Sequence, residues 1–162
     1  MGIKPNFTRK DIQNINQKFA DNVIITIEKV LKRSIIDVVN FAKNTDTYID
    51  RTNNLRSSIG YVLYKDGQKI SASFEKAGEG GEGDGAFGVE RGSNYAEEIA
   101  EKFSNGYVVV LVAGMTYAAY VEMKSYDVIT GASNQLDPTI KKHFEDAKNA
   151  IQEQTGIDLN LI

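Results

Sequence analysis

The chain has 162 residues, 41% of them hydrophobic and 25% charged, with a formal net charge of -3, a balance that suits one globular domain with its own core. That charge leaves no footprint for tight binding to nucleic acid or an anionic membrane. The absence of cysteine excludes disulfides and thiolate metal sites, and a single His143 rules out a two-histidine zinc set.

In chain order, the first expected element is a long helix over 8–44. Ile12, Ile15, Phe19, Val23, Ile27, Val30, Ser34/Ile35, Val38 and Ala42 recur at steps of three and four. A helix of about 35 residues is roughly 50 Å long, more than a compact domain of this size needs. Ile24, Ile25, Val39 and Phe41 widen its stripe, so it is expected to bury two sides, one against a neighbouring copy. The opening MGIKPNFTRK lacks the apolar core of a signal peptide, and no apolar run is long enough to span a bilayer. Synthesis and assembly in a cytoplasm are expected.

A polar, turn-rich segment, NTDTYIDRTNNLRSS, leads into a sheet region over 55–128. IGYVLYKDGQKISASF reads as two strands around an Asp66-Gly67 hairpin turn. A glycine-rich loop at 76–88 follows, expected to be mobile in the isolated chain. Within it Gly78, Gly80 and Gly83 have the spacing of a pyrophosphate-binding fingerprint. Glu79, Glu82 and Asp84 would repel a pyrophosphate there, and no parallel strand leads into the first glycine. The same three carboxylates lack the spacing of a calcium loop.

GSNYAEEIAEKFS reads as a short helix capped by Ser93 or Asn94, with Tyr95, Ile99 and Phe103 on its apolar side. The continuous run YVVVLVAG reads as the central strand of the sheet, followed by the short turn MTYAAYVEMK. A C-terminal helix over 137–155 is expected to start at an Asp137 cap with Pro138 in its first turn. Leu136, Ile140, Phe144, Ala147 and Ile151 form its stripe, and Gly156 stops it. The fold class is α+β with an antiparallel sheet in a single domain. His143 reads as a surface or rim residue rather than a general base, and Glu97, Glu98 and Glu101 as a solvated face. No catalytic residue, cofactor or metal is assigned.

Two segments, DRTNNLRSSIGYV from Asp50 to Val62 and VVLVAGMTYAAYVEMK from Val109 to Lys124, resemble the tail-completion or neck proteins of HK-type siphophages. That family carries D-T-G-x-L-R-x-S-I before a strand and Y-A-x-Y-V-E after one. Asp50, Thr52, Leu55, Arg56, Ser58 and Ile59 match the first motif; Tyr117, Tyr120 and Glu122 match the second. Arg51 is inserted, Asn53 replaces the glycine, and Met123-Lys124-Ser125 stands where the family has Phe-Gly-Thr. The order of elements agrees over most of the chain.

Leu55 and Ile59 are expected to point into the core, and Tyr117 and Tyr120 to cover its edge. The resemblance implies a virion protein, assembled in the bacterial host cytoplasm, that forms a homo-oligomeric ring in the head-tail neck or at the tail terminus. Its partners would be portal, adaptor or tail-tube proteins, with double-stranded DNA passing through unread. Glu79, Glu82 and Asp84 would face the lumen or a partner. The rival readings are a stand-alone bacterial ligand-binding module and a phosphate-handling enzyme using the glycine-rich loop.

Overall fold

The computed structural model describes residues 7–78 and 81–155. Its elements are α1 (Arg9–Lys43), α2 (Asn54–Ser57), β1 (Ile59–Lys65), β2 (Gln68–Ser73), α3 (Ala86–Ala100), β3 (Tyr107–Ala113), α4 (Ala118–Met123) and α5 (Thr130–Thr155). The class is mixed α+β with a three-stranded antiparallel sheet, as the sequence pattern predicts. Among the described residues no helix is long and apolar enough to cross a membrane.

Helix α1 starts where local chemistry says it should. The Thr8 side chain accepts from the Asp11 amide, and the Asp11 carboxylate accepts from the Thr8 amide at 2.7 Å, a reciprocal box that satisfies otherwise orphaned donors. At the hairpin, Asp66 and Gly67 both adopt positive φ, the mirror-image turn whose twist matches the flanking strands.

The strand order is β2-β1-β3. The apolar run at 107–113 is therefore an edge strand, and the centre is β1, which is buried along nearly its whole length. Both strands are strongly apolar, so composition alone does not order them. Position is decided by β1 pairing on both sides, with Val62 opposite Ala72 on one and Val110 on the other. One face of the sheet, with Ile59, Tyr61 and Leu63, packs on Ile35, Val38 and Ala42 of α1 and on Val128 and Ala132 at the start of α5. The other face, with Val62 and Tyr64, packs on Ala96 and Ala100 of α3. Helices thus cover both faces.

Two helices differ from the sequence expectation. Helix α3 begins at Ala86, inside the glycine-rich stretch, so Ser93 and Asn94 are interior rather than caps. Its buried row is Gly88, Gly92, Ala96 and Ala100, while Tyr95 and Phe103 are exposed and Ile99 is half-buried. Small residues win the inner face because they let the helix backbone lie almost on the sheet. A Cβ on Gly114 would sit 2.5 Å from the Cα of Gly92.

Helix α5 starts at Thr130, leaving Pro138 inside it. Two carboxylates hold this earlier start: Asp127, which accepts from the Gly131 amide at 2.9 Å, and the more distant Glu122 (below). Its inner row is Ala132, Leu136, Ile140 and His143, and Phe144 and Ile151 lie outside. The Gly156 stop lies outside the described residues.

Candidate functional site

The two motif segments meet in one junction between the end of α1, the start of β1 and the end of β3. The Asp50 carboxylate accepts from the Arg56 amide at 2.7 Å. The Arg56 guanidinium donates to the Lys43 carbonyl at 2.9 Å and to Asp46 at 3.0 Å, and stacks over the Tyr48 ring at 5.2 Å. A cation on a terminal helix carbonyl closes α1, because those carbonyls have no partner inside the helix and carry partial negative charge. Burial pushes the Tyr48 hydroxyl up to about 12, against the pull of Arg56.

Ser58 splices the motifs together: its carbonyl accepts from the Gly114 amide at 3.1 Å and its hydroxyl from the Met115 amide at 3.3 Å. Leu55 and Ile59 are buried beneath the junction, as expected. Tyr117 is partly exposed; burial and the Asp50 carboxylate raise its hydroxyl, and the Thr52 side chain opposes them. Tyr120 is 63% exposed and does not cover the core, because α4 turns it outward beside Lys124. Ala118 takes the buried place in that helix instead.

Glu122 adds a second set of contacts at the start of α5, beside Asp127. One carboxylate oxygen accepts from the amides of Val128 at 2.9 Å and Ile129 at 3.1 Å, and the other from Thr130 at 3.3 Å. These are orphan donors at the start of α5, where a negative charge also meets the positive end of the helix dipole. Desolvation raises the Glu122 carboxyl, but the Thr130 side chain and the three amides outweigh it, so its value lies below the ordinary 4.5.

A depressed folded value adds stability above pH 4.5 and loses it as pH falls through that lower value. Glu122→Gln is expected to lower stability by about 0.5–2 kcal/mol at neutral pH, as for loss of a cap, and by less in acid. Denaturation midpoints of both chains between neutral and acid pH measure it; parallel curves would show that the charge of Glu122 does not hold the cap.

The glycine-rich stretch lies over the first motif. The Ala77 amide donates to the Ser57 hydroxyl at 2.9 Å, the Glu82 amide to the Arg51 carbonyl at 2.7 Å, and the Asn53 side chain to the Gly83 carbonyl at 2.9 Å. A Cβ on Gly81 or Gly83 would come within 2.7 Å of the carbonyl oxygen of Arg51 or Thr52. The glycines permit backbone to lie on backbone. These contacts tie the described part of the stretch to the first motif, and 86–88 belong to α3.

Gly80 and Glu79 lie outside the described residues. Glu82 is exposed. Asp84 pairs with Lys76 at 2.6 Å and accepts from the Ala86 amide at 3.0 Å; these contacts hold its carboxyl below the ordinary range. Between stretch and motif opens a cavity of about 550 Å³ lined by Asp46, Tyr48, Arg51, Arg56, Gly78 and Glu82, among others.

A second polar group was not expected. His143 is 7% exposed, not on the rim; its Nδ1 lies 3.0 Å from the Ser34 hydroxyl and its Nε2 3.3 Å from the Asp37 carboxylate. Ser34 and Asp37 stand one turn apart on α1, the only hint the sequence carries. Ser34 is fully buried and its hydroxyl donates to the Val30 carbonyl at 2.8 Å; the trio has the composition of a hydrolytic triad and links α1 to α5. Among the described residues no group of three or more His, Asp or Glu is placed to hold a metal ion. No protein-family model, curated protein or solved structure matches this chain.

Proposed function

We propose that the chain is a structural virion protein of a tailed bacteriophage or prophage, without catalysis of its own. It forms a ring in the head-tail neck or at the tail terminus, through which double-stranded DNA passes. One observation carries the reading: the first half of α1 leaves the domain bare. Ile12, Ile15, Phe19, Val23, Ile24 and Ile25 are all exposed, while every buried residue of α1 lies from Val30 onward. An apolar arm of that size marks an interaction site.

Head-to-tail contacts between identical chains close into rings, and an arm at one end of each copy suits them. The junction of the two motif segments, with Asp50, Thr52, Arg56, Ser58, Tyr117 and Glu122 as its joints, supports the resemblance to phage neck and tail-completion proteins. Glu82 and Asp84, the latter beside its exposed partner Lys76, then face the lumen or an adjoining virion protein. Electron microscopy of the purified chain with portal or tail-tube protein tests the reading. Closed rings bound to either are expected, and free single copies under every condition would favour a stand-alone module.

A further inference from the structure

We infer that, before assembly, two copies pair through their bare arms as an antiparallel helix dimer. This concerns the free chain and does not rest on the ring reading.

The occupant follows from the seam the arm continues. Asp127, just before α5, bonds Thr47, just after α1, and His143 sixteen residues later lies against Ser34 and Asp37. α5 therefore runs antiparallel along α1. At equal rise per residue, its last residue Thr155 comes level with about residue 23 of α1. Counting back from Ser34 by threes and fours along the face that meets α5 gives Val30, Ile27, Val23, Phe19, Ile15 and Ile12. Ser34 and Val30 are buried and Ile27 is half-buried; Val23 is exposed, and Phe19 and Ile15 reach 66% and 67%. Exposure rises beyond the level of Thr155, the last described residue of α5, so the bare row continues the line of an existing antiparallel helix seam.

The arm of a second copy is itself such a helix, and charge selects its direction. Asp11 and Lys18 stand two turns apart on the same flank of the row. A two-fold axis between Ile15 and Asn16 sets Ile12 against Phe19 of the second copy and brings Asp11 beside Lys18 of the second copy, twice by symmetry. The second arm then begins at Arg9 about level with Asn22, next to the level of Thr155. A parallel pair would instead set that flank against the opposite one, where Asn16 and Val23 stand, so neither Asp11 nor Lys18 would meet an opposite charge. The antiparallel contact is isologous and closes on itself, so it shields the apolar row without growing into fibres.

The chain has no cysteine, so single cysteines report the pairing directly. The isolated chain is expected to have the mass of a dimer, and Phe19→Lys to halve it with unchanged helical circular dichroism. Ile15→Cys is expected to cross-link to itself. Ile12→Cys, about 10 Å along the axis from its own copy, should not, whereas a mixture of Ile12→Cys and Phe19→Cys should. A monomeric wild-type chain into the millimolar range, or self-cross-linking of Ile12→Cys, overturns the inference. Rings on portal protein from a monomeric free chain overturn it and leave the ring reading standing; a dimer that never joins a ring does the reverse.

Discussion

Gly92→Ala is expected to destabilise the fold by about 1–3 kcal/mol or more, although the same change in an exposed helix would stabilise it. The added Cβ would run into the Ser58 carbonyl oxygen and stand 2.8 Å from the Phe74 ring. Neither neighbour is free to move. The Ser58 carbonyl is held by the Gly114 amide, and Phe74 packs with the cluster beneath α3. Gly92 also touches Gly114, so the helix has to lift from both β1 and β3 to make room. Gly88→Ala should act the same way against the Asn54 carbonyl. Exposed Tyr95→Ala, three residues on, serves as the control with little effect. Chemical denaturation decides it: an unchanged midpoint for Gly92→Ala would mean that α3 does not ride directly on the sheet.

Leu55→Ala is expected to cost about 2–5 kcal/mol, the range for removing a large aliphatic side chain from a packed core. Leu55 is 2% exposed and is the one large aliphatic side chain in its single helical turn. It joins Tyr48, Ile59 and Met115 in one cluster, so the cavity opens under the junction of the two motifs. Tyr120→Ala, by contrast, should fall within the small range of surface changes, because that ring is solvent-facing. Equal losses for the two substitutions would place Tyr120 in the core and contradict the geometry of α4.

Much of the fold was legible locally. The start and apolar period of α1, the Asp66-Gly67 turn and the burial of Leu55 and Ile59 all follow from neighbours within a few residues, where backbone preference and side-chain chemistry act alone. The bare arm was legible too, since a helix of that length outruns the domain.

What stayed hidden depends on contacts between distant residues. The apolar runs of β1 and β3 look alike, and only three-dimensional pairing puts β1 in the middle. The inner face of α3 is its glycine and alanine row because the sheet rewards close approach more than it rewards burying Tyr95 and Phe103, a comparison that hydrophobic period cannot make.

For the candidate site, sequence alone named the joints, Asp50, Arg56, Ser58 and Glu122, but not their roles. Glu122 caps a helix that begins eight residues later, so the start of α5 moved ahead of Pro138. His143 is buried because Ser34 and Asp37, more than a hundred residues away, meet both its nitrogens. The glycine-rich stretch looked like a loop made for freedom, and the backbone of 51–54 beneath it makes those glycines a means of contact. Local propensity settled the hairpin turn and the extent of α1; the starts of α3 and α5, the strand order and the inner faces were set by partners that the folded chain brings within hydrogen-bond or van der Waals reach.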